Sequence, residues 1–418
     1  MPDVYARTRL AGFRRTEMNL GFRATRNGAL QAAATGLLCG LLALVACERK
    51  PPPESATGAG GATPGALVTT APAASSVAAT PEPVLIPPRT PTGTFLDRPA
   101  GQVLRLVSYN VNWNSIFPDV NARRAASFAR LVAALDPDVL ALQEIGQAPR
   151  DADGSRAPRR TAADVSQLIT QLAPLPTGGS WYAHQAGDNV IVSKYPLQLT
   201  RERPTPAGHR DIAMALVRLP RMAFPRDVYV FNTHHKCCGG EENEALRRKQ
   251  SDAIASWVRD ARLPGGDIDL PPGTPVVIVG DLNLVGGPQP LRTLVDGDVF
   301  DEAAYGPDFR PDWDDTPLAD ARPPHNARGA EDWTWRDDTS EFAPGRLDFV
   351  VYTDSVVDAV HRFVLNTTTM TPEELDAAGL DKNDVLMDAE HGVYDHLPVV
   401  VDFVFRTGLA ANGDRQRR

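Results

Sequence analysis

Cysteine is scarce in this chain of 418 residues, with only Cys39, Cys47, Cys237 and Cys238. Four cannot staple a disulfide-rich scaffold, so any fold must rest on a hydrophobic core. A surplus of positive charge is also missing: 43 Lys and Arg face 52 Asp and Glu, for a net charge of -9. No overall field therefore advertises a long polyanion partner, although a local basic groove does not show in a sum. The N-terminal apolar run, GLLCGLLALVA at 36–46, falls short of the roughly 20 residues that span a bilayer. No internal repeat is present. What is there is 42% hydrophobic composition, enough for one large domain or two small ones. Many of the 37 prolines fall in the first hundred residues, which points to a non-globular front and a compact remainder.

The front reads as a targeting segment. Arg7, Arg9, Arg14, Arg15, Arg23 and Arg26 precede the apolar run. A basic start, a short apolar core and small residues before a cut make a signal peptide. The tetrad LVAC, Leu44–Cys47, resembles the lipobox of bacterial lipoproteins. That resemblance implies cleavage after residue 46, a lipid on Cys47 and an extracytoplasmic, membrane-anchored address in the periplasm or at the cell surface. Met18 offers an alternative start. Arg14-Arg15 hints at a twin-arginine signal, but Thr16-Glu17 fit it poorly. Residues 47–100 are rich in Pro, Ala, Gly, Ser and Thr, a composition that cannot offset its chain entropy by burial. They read as a disordered tether, and 407–418 as a disordered tail. The folded domain is expected over 101–406.

Within it, the spacing predicts a helix over 122–135, with Phe128, Leu131, Val132 and Leu135 on one face and Asp119 or Asn121 as the cap. A short helix is expected at 164–173 and a further helix at 241–261. Apolar strands are expected at 103–107, 139–144, 181–184, 189–193, 212–219, 227–235, 275–283, 347–353, 356–365 and 397–405. Mixed strands and helices at this length suggest a strand-rich α/β core with helices outside. Residues 301–345, acidic and bearing Trp313, Trp333 and Trp335, read as a long surface loop.

Several strands end in polar residues that have no place in a core. Asn110 follows LVSY, Glu144 follows LALQ, His234 follows VFNT, and Asp281 and Asn283 follow VVIVG. Asp348 lies within GRLDFVV, and Asp395-His396 precede LPVVV. Taken singly, each is a turn residue, a cap or a solvated strand end. Gathered at strand tips on a rigid scaffold, they form a site. Carboxylates and amides are hard oxygen ligands that suit Mg²⁺, or Mn²⁺ or Ca²⁺ in its place. A divalent ion beside histidines suits hydrolysis of a phosphate ester.

The motifs SYNVNW, LQEI, NTHH, GDLN, GRLDFV and YDHLPV, in that order, resemble the endonuclease/exonuclease/phosphatase superfamily, also called deoxyribonuclease I-like. The resemblance covers the whole folded part. It implies a four-layer α/β/β/α sandwich of two packed mixed sheets with the site at one rim. It also implies roles. Glu144 is the main metal ligand, with Asn110 beside it on metal or phosphate. Asp281 is a base or second ligand, Asn283 holds a phosphate oxygen, and Asp395 is a further metal-side carboxylate. His396 acts at the scissile phosphate, oriented by Asp348, and His234 donates to the phosphate or leaving group. Arg210 falls where a substrate-facing arginine is often placed. GDNVIVSKYPL at 187–197 is similar to a family strand and turn, with Lys194 where arginine is common. Tyr394 departs from the small residue expected before Asp395, which would narrow the pocket.

In NTHHKCCGG (232–240), His235 points away from His234 if the strand continues and reads as structural. A zinc site would need converging ligands that adjacent cysteines rarely supply. Cys237 and Cys238 are either two thiols or, in an oxidising compartment, a vicinal disulfide. The substrate class stays open between nucleic acid and lipid, inositol or other small phosphoesters, for an enzyme expected to be a monomer. Arg247, Arg248 and Lys249 could meet a nucleic-acid backbone or form a solvated helix face. A binding protein that kept the fold without turnover is the remaining reading.

Overall fold

The computed structural model describes residues 81–150, 154–199 and 211–407. The expected signal segment, Cys47 and Arg210 lie outside the described residues.

Two six-stranded mixed sheets carry the fold. The first has the order β11 (Val357–Val364), β12 (Val399–Phe405), β1 (Leu104–Asn110), β2 (Val139–Gln143), β4 (Asn189–Ser193), β3 (Tyr182–Ala186). The second runs β5 (Leu197–Gln198), β6 (Ala213–Val217), β7 (Val228–His234), β8 (Val276–Asp281), β10 (Asp348–Tyr352), β9 (Ala319–Asp320). Each sheet has one parallel pair near its centre, β1 with β2 and β7 with β8, and antiparallel neighbours elsewhere. Period-2 alternation decides what each face meets. Ala213, Ala215, Val217, Val277 and Val279 turn into the core shared with the first sheet. Met214, Leu216, Val276 and Ile278 turn outward onto α3 (Glu241–Arg262), through Ile254, Trp257 and Val258. On the far side, α1 (Ala122–Leu135) and α2 (Ala162–Leu172) cover the first sheet with Phe128, Leu131, Val165 and Ile169. The result is the α/β/β/α sandwich.

α1 starts where its spacing predicts, and the cap is Asn121, whose side chain accepts from the Arg124 amide. Three readings need correction. Residues 81–100 belong to the packed fold rather than to the tether: Ile86 and Leu96 are buried and Phe95 packs edge-on against Phe363. A few apolar residues in a Pro-rich stretch sufficed, which composition averages away. Residues 301–345 are not simply a surface loop. They hold α5 (Glu302–Tyr305) and β9, and Asp312 is buried, accepting from Ser355. α4 (Gln289–Asp296) and α6 (Pro372–Ala378) were too short to show a period. Finally, Arg247 is no backbone-binding residue: it is wholly buried and anchored to Glu244.

Candidate functional site

Both sheets present their polar strand tips at one rim. On the second sheet, His234, Asp281 and Asp348 stand directly opposite one another across β7, β8 and β10. On the first, Asn110 pairs with Gln143, and Glu144 follows at once. A buried bond ties the rims together: Gln143 Nε2 donates to Asn232 Oδ1 at 2.7 Å. Gly280 precedes Asp281 at φ +134, where a Cβ would fall 1.9 Å from the Thr233 carbonyl oxygen. Only glycine lets β7 and β8 approach closely enough to align their tips.

The backbone is strained where it leaves these tips. Asn112, Trp113, Asn114, Glu144 and Asn283 all have left-handed φ, +64 at Glu144. Such conformations cost of order 1–3 kcal/mol each for residues other than glycine and gather at functional sites. Here they turn the side chains after each strand into a common cleft of about 630 Å³. Its lining includes Glu144, His234, Asp281, Asn283, Asp395 and His396.

The contacts form a connected set. Asn110 Nδ2 donates to Glu144 Oε1 at 3.1 Å and to Asp281 Oδ2 at 3.2 Å. Asp281 also accepts from the amide and side chain of Asn283, at 2.8 and 2.9 Å. Two imidazoles flank the same Asp281 oxygen: His234 Nε2 at 3.5 Å and His396 Nε2 at 3.6 Å. Each ring is oriented through its other nitrogen, His396 Nδ1 by Asp348 at 2.8 Å and His234 Nδ1 by Asp188 at 2.9 Å. A carboxylate so placed fixes the tautomer. Asp395 is held by Asn112 Nδ2 at 2.9 Å.

Charge follows from burial. Burial alone would lower the His396 pKa, but the Asp348 and Asp281 carboxylates raise it well above the usual histidine value. That direction favours the protonated, donating form of the ring. Burial raises the Asp348 pKa, and Asp281 adds to this while His396 opposes it.

Glu144, Asp281 and Asp395 supply the hard oxygen donors that a divalent cation prefers, and Asn110 stands beside them as a donor to Glu144 and Asp281. Five carboxylates against two imidazoles also leave an acidic excess that such an ion would offset. The donor set fits Mg²⁺. Asp281, Asp348 and His396 place ligand atoms within 4.8 Å of one another as well, but Asp348 and His396 already bond each other.

A model of the Endonuclease/Exonuclease/phosphatase family matches residues 107–367, more than half of the chain. The chain belongs to this family. Family members are phosphoric ester hydrolases. No curated protein matches. Among solved structures, an endonuclease/exonuclease/phosphatase from Bacteroides vulgatus has 14% identity and a TM-score of 0.45, covering 73% of this chain and 99% of its own. D. rerio TDP2 complexed with single strand DNA product has 16% identity and a TM-score of 0.44, covering 72% and 99%. The human Nocturnin catalytic domain with bound sulfate anion has 14% identity and a TM-score of 0.41, covering 73% and 96%.

All the described residues expected at the site reach one rim. Asp188, Asn112 and Thr334 were not foreseen. Asp188 lies in the quoted GDNVIV and orients His234 as Asp348 orients His396. Thr334 Oγ1 accepts from the Leu347 and Asp348 amides at 3.0 and 2.9 Å, and nothing local to its sequence signals this. Lys194 stands at the opposite end of β4, on Asp136 and Asp138. Tyr394 does not narrow the cleft. Its hydroxyl meets Thr368 at 2.6 Å and its ring packs on Trp333. Cys237 and Cys238 line the cleft as two thiols, Sγ to Sγ 2.9 Å, against about 2.05 Å for a bond.

Proposed function

We propose that the protein is an extracytoplasmic phosphodiesterase that cleaves nucleic acid with the help of Mg²⁺, anchored by lipid on Cys47. The observation that carries the chemistry is two carboxylate-oriented imidazoles aimed at one carboxylate, Asp281, beside Glu144 and Asn110. Glu144, Asp281 and Asp395 would hold the metal, with Asn110 positioning Glu144 and Asp281; the metal would supply charge neutralisation at the phosphate. Mn²⁺ or Ca²⁺ would meet the same donors. The chain's own residues do the rest. His396, protonated and fixed by Asp348, donates to a phosphate oxygen or the leaving group. His234 donates from the other side. Asn283 holds a phosphate oxygen, and Asp281 orients or deprotonates the attacking water. The address rests on the sequence alone, through the basic start, the short apolar run and the LVAC motif.

Nicking of supercoiled plasmid with Mg²⁺ by the wild-type chain, and not by His396→Ala, is the expected result. Equal nicking by both would remove His396 from the mechanism. A lipid or inositol phosphoester is the second reading, favoured by the apolar rim where Phe342 is 68% and Val285 49% exposed. Release of phosphorylated headgroup from vesicles without any plasmid nicking would select it. A non-catalytic binding role would require no turnover of bis-p-nitrophenyl phosphate with Mg²⁺, Mn²⁺ or Ca²⁺.

A further inference from the structure

The thiol pair at the mouth of the cleft has no part in the chemistry above. Cys237 is half-buried, Cys238 is exposed, and both line the cleft with His234, Asp281 and Asn283. Their sulfurs, 2.9 Å apart, need to close by less than about 1 Å to reach bonding length. The turn that presents them is imposed from outside. Buried Arg247 donates through Nη1 to the carbonyls of Lys236 and Cys238, at 2.9 and 2.8 Å. The Lys236 amide donates to Gln250 Oε1 at 2.8 Å. Cys238 sits at φ +74, which a residue with a side chain seldom adopts unforced.

Adjacent residues joined by a trans peptide hold their Cα atoms about 3.8 Å apart, below the roughly 4.4–6.8 Å of ordinary disulfides. A bond between these two sulfurs is therefore strained. Strained, exposed disulfides are the labile ones. We propose that Cys237 and Cys238 are a reversible thiol-oxidation site that controls the cleft, with a low-molecular-weight disulfide as the oxidant. One cysteine sulfur attacks the small disulfide, forms a mixed disulfide and releases one small thiol. The second cysteine sulfur displaces the other half. Two S–H bonds break and one S–S bond forms in the protein. The oxidant's S–S bond is reduced, and both protons leave on the two released thiols. Closing the ring shifts the Cys238 carbonyl held by Arg247 and moves the lip beside His234. Control of turnover rests on the phosphoesterase reading, whereas the oxidation itself does not.

The test exposes the full chain to oxidised glutathione, maps the 237–238 peptide by mass, and follows bis-p-nitrophenyl phosphate turnover with Mg²⁺. The peptide is expected to lose about 2 Da, the two thiol hydrogens, and to resist alkylation. Turnover is expected to fall at least about threefold, as when a lip movement limits access, and to return with dithiothreitol. Cys237→Ser and Cys238→Ser should each stop at a single glutathione adduct instead of losing about 2 Da, and the variant carrying both substitutions should lose the reversible response. An unchanged peptide, or one carrying two stable glutathione adducts, overturns the site. A disulfide with equal turnover in both states overturns its control of the cleft. Absence of turnover in either state counts against the phosphoesterase reading, and the peptide mass still decides the thiol chemistry.

Discussion

Two Asp–His pairs in this molecule share one local geometry and differ in what surrounds them. In the first sheet, His361 Nδ1 meets Asp402 Oδ2 at 3.0 Å. At the rim, His396 Nδ1 meets Asp348 Oδ2 at 2.8 Å. Asp402 has a third neighbour of opposite sign: Arg105 stands beside it in register and binds both its oxygens at 2.7 Å. Burial would raise the Asp402 pKa, but the bonds from Arg105 and His361 bring it below the ordinary carboxylate value. Asp348 instead has Asp281 opposite it in register. Burial raises its pKa and Asp281 adds to the rise, and against the effect of burial both carboxylates raise the pKa of His396. A cation as third neighbour makes the pair a structural bond. An anion there makes it a held proton facing a cleft. The two pairs are separated by the sign of one cross-strand neighbour.

The comparison breaks most sharply at His396. His396→Ala should lower turnover about 10²–10⁴-fold, the usual share of a general acid, with circular dichroism and melting temperature close to wild type. Near-normal rates would mean that the rim pair carries no chemistry. Asp402→Ala should do the reverse. It leaves Arg105 charged and buried without its partner, a loss of about 3–5 kcal/mol, read by urea unfolding, while turnover per folded molecule is unchanged. Asp348→Asn sharpens the contrast. Turnover should fall about 10²-fold as the proton on His396 is lost, and the loss of folding free energy should be smaller than for Asp402→Ala, because burial of the ionised Asp348 carboxylate already opposes folding. Marked destabilisation by Asp348→Asn would erase the distinction. His361→Ala should have the smallest effect, about 0–1 kcal/mol, since Arg105 keeps Asp402 satisfied.

Acid provides a further separation. The folded Asp402 pKa is depressed. Its contribution to stability is therefore fully present above the unfolded value near 3.9 and is lost as pH falls through the lower folded value. Unfolding free energies measured from pH 5 downward should fall below about pH 4 in wild type, and less steeply in Asp402→Asn. Parallel curves would assign the acid sensitivity elsewhere.

Much of this site was legible as sequence. Asn110, Glu144, His234, Asp281, Asp348 and His396 each interrupt or end an apolar strand pattern, and a polar group there stands out against period-2 burial. α1 was legible for the same reason, down to the Asn121 cap. Asp188, Asn112 and Thr334 were not, because short polar residues in loops have many local uses. Their partners lie far along the chain, at His234, Asp395 and Asp348. Leu96, Asp312 and Arg247 were misplaced for a related reason: composition and charge do not reveal what a residue packs against.

By itself the sequence determined the longer strands but not the two-residue β5 and β9, the helix over 122–135 and the order of polar tips, because periodicity and capping act over a few residues. Tertiary structure decided which tips meet. Strand order and register place Asp281 opposite both His234 and Asp348, and they place Arg105 opposite Asp402. The sign of a cross-strand neighbour then helps separate the buried carboxylate whose pKa is lowered from the one whose pKa is raised. That neighbour can lie hundreds of residues away, so no local pattern encodes it.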